Sequence, residues 1–371
     1  MKMPIEKYVK EKMPRLGFGA MRLPTLDGKI DMARFIEMVD HYMKSGANYF
    51  DTAWMYHENE SEIACREALV KRYPREDFIL ATKFPVWEVK EQEDVDKIFQ
   101  KQLEKCGVEF FDFYLIHALN TERSALCEQW KLFDYLIEQQ KQGKITYLGF
   151  SFHGKNECMD EICEKYADIF EFCQLQINYY DWGGDYRYQY ERARQIGLPV
   201  ITMEPVRGGA LAKLPADIEA RFKAAKPDAS IASWAIRWCN ELEGVCNVLS
   251  GMSNMEQLED NIAILRDAPP LTDAEKSLIA EAGLALRNIP SVPCTSCDYC
   301  KNCPEDIPIA AIFGMYNEYL KNLSTFGLRR KHREMEGKNV LDCTRCGICN
   351  PMCPQQIDIP DYMGKIAALI E

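Results

Sequence analysis

The chain has no stretch approaching the run of about 18 uninterrupted apolar residues that a spanning helix needs, which excludes a helical membrane anchor. Its first fourteen residues, Met1 to Pro14, lack the apolar core of a secretory signal, so the expectation is a cytoplasmic protein without membrane association. Positive charge is also scarce: 45 Lys and Arg face 57 Asp and Glu, a formal charge of −12. With no basic stripe, a nucleic-acid partner is not expected. A third lack is the Gly-rich dinucleotide turn of an open doubly wound sheet, since Gly17-Phe18-Gly19-Ala20-Met21 misses the third glycine.

What is present points elsewhere. With 371 residues and 47% hydrophobic content, the chain has room for a barrel of about 250 residues and a smaller domain. Short apolar or β-branched runs alternate with amphipathic stretches, the pattern of βα units. The predicted strands are Leu16 to Met21, Asn48 to Ala53, Phe78 to Phe84, Phe110 to His117, Ile145 to Phe152, Phe172 to Tyr180, Pro199 to Pro205 and Val245 to Gly251. Eight repeats predict an α/β fold, a closed (β/α)8 TIM barrel. Phe35, Met38, Val39 and Tyr42 recur at helical spacing in the first helix, and Thr272 is expected to cap a helix over Asp273 to Arg287. The pattern changes at Ser291-Val292-Pro293, so we expect a barrel over residues 1–288 and a small, mainly helical domain over 289–371.

Sixteen cysteines without an export signal read as thiols and metal ligands rather than disulfides. Eight are scattered and read as packing residues. The others form two runs, Cys294-x2-Cys297-x2-Cys300-x2-Cys303-Pro304 and Cys343-x2-Cys346-x2-Cys349-x3-Cys353-Pro354. Three thiolates two residues apart suit one face of an iron-sulfur cube, and a fourth Cys before Pro commonly completes the neighbouring cube. Eight ligands predict two [4Fe-4S] clusters in a ferredoxin-like domain; zinc is the competing reading of paired CxxC spacing. The first run is one residue short before Cys303, which leaves open which run supplies each fourth ligand. The cationic run Arg329-Arg330-Lys331-His332-Arg333 reads as a solvated helix face or as a partial offset to cluster charge.

Asp51, Lys83 and His117 each fall at the C-terminal end of a different predicted strand, the catalytic face of such a barrel, and Tyr56 follows Asp51 closely. Asp51-Thr52-Ala53-x-x-Tyr56, Lys83 after Ala81-Thr82 and His117 after Leu115-Ile116 resemble the tetrad of the aldo-keto reductases over residues 14 to 270. The resemblance implies that Tyr56 donates the proton, with Lys83 lowering its pKa, Asp51 holding Lys83, and His117 orienting a substrate carbonyl. It implies a nicotinamide as hydride source, its carboxamide contacted by Ser151, Gln176 and Asn178, whose plainer reading is strand-end capping.

Phosphate sites of these barrels gather after strands seven and eight. The turn Glu204 to Ala210, with Gly208 and Gly209, and the segment Ser250, Gly251, Ser253 and Asn254, with Gln257 and Asn261, resemble the family's dinucleotide contacts; helix N-termini attract anions. Met203 stands where the family places an aromatic ring, and Ser250 to Asn261 carries no Arg or Lys for a 2′-phosphate. NADP, NAD or a flavin therefore all stay open. Trp54, Trp87, His153 and Tyr179 are candidates for the substrate wall, or for packing.

Hydride transfer moves two electrons and each cluster one. The expectation is an oxidoreductase acting on a small carbonyl or alcohol and coupled to a ferredoxin- or flavodoxin-type partner. The alternatives are a conventional reductase with structural or redox-sensing clusters, and an electron-transfer subunit with an inactive barrel. Substrate and oligomeric state are not set by the sequence.

Overall fold

A computed structural model describes residues 2–267 and 269–370, and the side chain of Asn322 lies outside that description. Eight parallel strands close a barrel: β1 (Leu16–Gly19), β2 (Tyr49–Asp51), β3 (Ile79–Phe84), β4 (Phe111–Leu119), β5 (Ile145–Phe152), β6 (Phe172–Gln176), β7 (Val200–Met203) and β8 (Val245–Gly251). They pair in chain order, and β8 returns to β1. Such strands are covered on both faces, which explains their near-continuous apolar runs; all six residues of β3 are buried.

Side-chain alternation decides what reaches the barrel axis. Tyr49, Ile79, Ala81, Phe113, Leu115, Tyr147, Phe172 and Ile201 fill the interior, closed from below by Ile5 and Met13 around the helix Ile5–Glu11. Counting on by twos places Asp51 after Tyr49, Lys83 after Ala81, His117 after Leu115, Ser151 after Tyr147 and Met203 after Ile201, all at the upper rim. The opposite parity, including Phe18, Phe50, Leu80, Ile116, Leu148 and Phe150, packs against the helices.

Four expected strands end early, β1 among them at Gly19. β6 stops at Gln176 because Asp181 N–H donates to Asn178 Oδ1 at 2.9 Å, bending the chain into the short helix Asp181–Gly183. β7 stops at Met203 because Glu204 adopts a positive φ of 57°. β2 ends at Asp51, where the chain turns toward Tyr56. The helix Asp273–Arg287 carries the expected Thr272 cap, completed by Glu275 into a capping box.

Beyond residue 288 the chain packs around a core of its own. Val292, Ile307, Ile312, Phe313, Leu328, Val340, Ile359 and Ile366 join the helices Ile309–Asn322, Thr325–Glu334 and Ile359–Ile370. The cysteine loops lie between this core and the barrel mouth.

Candidate active site and cysteine centres

Asp51, Lys83, His117 and Tyr56 converge at the mouth and are all buried. Lys83 Nζ donates to Asp51 Oδ1 and, at 2.8 Å, to the Thr52 carbonyl, and it lies 3.4 Å from Tyr56 Oη. Burial works against both charges of the pair, raising Asp51 and lowering Lys83, while each partner's charge opposes the shift of the other. The expected lowering of the phenol is not what the geometry gives. Tyr56 is raised, first by burial and then by the Asp51 carboxylate. His117 is driven well below its ordinary range by burial, then by Lys83, Arg123 and His153. It is a neutral imidazole, and its Nδ1 has no partner.

A cleft of about 320 Å³ opens above these residues, lined by Ser151, Met203, Gly208, Gly209, Ser250, Gly251, Ser253, Gln257 and Asn261 among others. His153 also lines it, half-buried with Nδ1 out of solvent, and is pushed down to about 3 by desolvation and then by Arg123. Other expected contacts lie elsewhere. Asn178 is turned away, its Nδ2 donating to Asp181 and to the Glu204 carbonyl. Asn254 caps the helix Met255–Asp267 through Gln257 N–H at 2.9 Å. Tyr179 packs with Leu211, Phe222, Trp234 and Leu286, because the early end of β6 carries it away from the mouth. Trp54 lies under the Lys105 ammonium, 4.5 Å from the ring centroid, against the outer shell. Trp87 stays close, its ring 5.2 Å from that of His117.

Four cleft residues had no role in the sequence reading. Arg22 packs over Gly251 and donates to the Thr295 carbonyl at 3.0 Å. Glu204 is half-buried, its Oε2 out of solvent and unpartnered, and burial raises its carboxyl. Tyr299 and Gln355 come from the cysteine loops. Tyr299 Oη lies 3.1 Å from His117 Nε2 and its ring packs with Tyr56, while Gln355 exchanges hydrogen bonds with Gln176. The junction also includes Lys301 on Glu58 at 3.1 Å and Gln356 on the His153 carbonyl at 3.1 Å.

The eight scattered cysteines are buried. The two runs interleave. Cys294, Cys297, Cys300 and Cys353 ring one small cavity, and Cys303, Cys343, Cys346 and Cys349 ring a second of the same size. Among the described residues, no group of His, Cys, Asp and Glu could hold a single metal ion; a cube spreads its thiolates around a larger space than one ion does. The loops also repeat. Both read Cys-Thr-x-Cys-x-x-Cys and continue after the last cysteine as Pro-x-x-Ile-x-Ile. Left-handed residues recur at matched positions, Ser296 with Arg345, Asp298 with Gly347 and Asp306 with Gln356. Ser296 N–H donates to Cys294 Sγ at 3.4 Å. Four thiols around one cavity with a backbone N–H turned to sulfur suit a thiolate-held cube.

Residues 15–283 match the aldo/keto reductase family. A probable aldo-keto reductase 1 from Glycine max is 25% identical over 53% of this chain and 57% of its own length, and the chain spans only about half the length of the first such relatives. The NADH-specific methylglyoxal reductase of Escherichia coli is 24% identical over 74% of this chain and 96% of its length. An aldo-keto reductase from Klebsiella pneumoniae, solved with NADPH, superposes with a TM-score of 0.59 at 19% identity, covering 76% of this chain and 94% of that one. A closed eight-stranded barrel with these four side chains on its rim and a family match over most of its length leads to one conclusion: the chain belongs to the aldo/keto reductase family.

Proposed function

We propose that the protein reduces a small carbonyl, or oxidises the corresponding alcohol, with a nicotinamide, and that residues 289–371 form a domain holding two [4Fe-4S] clusters that link this chemistry to a one-electron partner of ferredoxin or flavodoxin type. The observation that carries the reading is Tyr56 Oη, 3.4 Å from Lys83 Nζ on the rim beside His117. Burial keeps Tyr56 a phenol at neutral pH, the protonation state that a reduction consumes. His117 stays neutral and offers Nε2 to the substrate oxygen. Lys83 supplies the charge that stabilises the phenolate left after proton transfer, and Asp51 holds Lys83 in place.

A bound nicotinamide would supply the hydride. The cleft suits it: Ser151 and Gln174 line it, and Gln174 Oε1 is buried without a partner, an acceptor that a carboxamide N–H would satisfy. Arg22 beside Gly251 would meet a pyrophosphate. The Klebsiella neighbour binds NADPH and the Escherichia coli relative is NADH-specific, so the nucleotide is chosen by experiment.

For the clusters, Cys353 would complete the cube of the first run and Cys303 that of the second. Anaerobic purification with iron and sulfide analysis, followed by titration with NADPH and NADH separately, tests the whole reading. About eight irons per chain, with visible bleaching by one nucleotide, supports it. Zinc in place of iron overturns the cluster assignment, and eight irons with no bleaching by either nucleotide overturns the link between clusters and barrel.

A further inference from the structure

A carbonyl that takes a proton from Tyr56 while His117 orients it must place its oxygen within hydrogen-bond reach of both groups. That place is taken by Tyr299. Its hydroxyl lies 3.1 Å from His117 Nε2, its ring packs with Tyr56 and stands at 87° to the imidazole, and the residue is only 8% exposed. Together with Ala53, Tyr56, Met21, Met55 and Cys297 it forms a small apolar cluster between barrel and tail.

The cysteine loop does not by itself require this ring. At the matched position of the second loop stands Ile348, which is 53% exposed. Two loops of one shape therefore present different side chains, and the one that enters the barrel carries a hydroxyl on His117 beside Tyr56. Tyr299 also lines the cavity ringed by Cys294, Cys297, Cys300 and Cys353, so one residue borders both compartments.

The geometry points to Tyr299 as a specificity-determining residue of the substrate pocket: its phenol holds the site of the substrate oxygen, and a substrate enters by displacing it. This rests on the carbonyl-reductase reading above. The selection follows from competition. An incoming oxygen must replace the hydrogen bond that Tyr299 makes to His117 and displace its ring from beside Tyr56, so a strong acceptor such as a carboxylate or a dicarbonyl gains entry over a simple ketone. The Tyr299 ring must also vacate the mouth, which limits how large a group can stay beside it.

The test uses the anaerobically purified holoprotein, Tyr299→Phe, Tyr299→Ala and, as a control on the matched loop, Ile348→Ala. Acetate binding is measured by calorimetry with and without saturating NADP⁺, alongside KM and kcat for propanal. Tyr299→Phe should bind acetate about tenfold more tightly than the parent, the worth of about one hydrogen bond, with KM for propanal falling by a similar factor and kcat within about threefold. Tyr299→Ala should in addition admit bulky ketones, and Ile348→Ala should behave as the parent. A crystal of the parent soaked in acetate should show the Tyr299 ring out of the mouth. Unchanged acetate affinity in both Tyr299 variants overturns the proposal, as does acetate bound with Tyr299 still on His117. A fall in kcat of about a hundredfold at constant KM would instead make Tyr299 a proton-transferring group. Absence of turnover in every chain would sink the reductase reading alone, because the acetate measurements and the soaked crystal still decide the role of Tyr299.

Discussion

Gln176 and Gln355, 179 positions apart, exchange hydrogen bonds in both directions: Gln355 Nε2 donates to Gln176 Oε1 at 2.8 Å, and Gln176 Nε2 donates to Gln355 Oε1 at 3.2 Å. The pair ties the end of β6 to the second cysteine run. Gln355→Leu leaves the Gln176 carbonyl without this donor and should cost about 1 kcal/mol. A thermal melt lower by a few degrees checks this, and an unchanged melt would show the pair to be incidental.

Tyr56→Phe removes the proposed proton donor while keeping the ring. Turnover should fall by about 10² to 10⁴, with nucleotide affinity, followed by fluorescence titration, unchanged. Retention of near-parental turnover would move the acid to another group.

Lys83→Met strands the Asp51 carboxylate in a buried site. Breaking such a pair costs about 3–5 kcal/mol, and the loss should grow with pH. Asp51 is already raised in the folded chain by burial, and removing the ammonium raises it further. A raised carboxyl contributes stability below its unfolded pKa of about 3.9 and loses it as pH rises through the folded value. Urea unfolding at pH 5 and pH 8 should show the larger deficit at pH 8; an equal deficit at both would mean that Asp51 does not titrate in this window.

His153 tests the opposite sign. Its folded pKa is depressed to about 3 by burial and by Arg123, so the unfolded chain takes up the proton first. The stability it contributes is present above about 6.5 and is lost as pH falls from there toward 3, at up to about 1.4 kcal/mol per pH unit. His153→Gln should flatten the acid limb of the stability profile between pH 6 and 4, and an unaltered limb would assign that slope to other groups.

The crossed ligation proposed above makes the two cysteine centres separable. Cys353→Ser should leave about four irons per chain and abolish the spectrum of the cube beside Tyr299, whereas Cys303→Ser should abolish the other. Paramagnetic resonance on the reduced variants distinguishes the two, and loss of the first-run cube in Cys303→Ser would reverse the assignment.

The barrel was legible because parity and spacing are local. β5 and β8 lie where the apolar runs predict them, and alternation from Tyr49, Ala81 and Leu115 carries Asp51, Lys83 and His117 inward. Legibility failed where a side-chain bond bends the backbone. The Asn178–Asp181 turn ends β6 early and sends Tyr179 into the helical layer. It failed again where contacts span the chain, as with Tyr299 and His117, 182 positions apart. The shared loop pattern of the two runs was available in the sequence, and the contrast of Tyr299 with Ile348 within it marked the unusual residue; the destination of that ring was not encoded nearby.

The interleaving of the thiols sets an order on assembly. Neither ring of four can close from one run alone: the first waits for Cys353, and the second joins Cys303 to three cysteines 40 or more positions later. The barrel's last strand ends at Gly251, so the barrel can be folded with its mouth open long before the loops can lock. Capping of the active site, and with it the seating of Tyr299, is then among the last events in the making of the molecule.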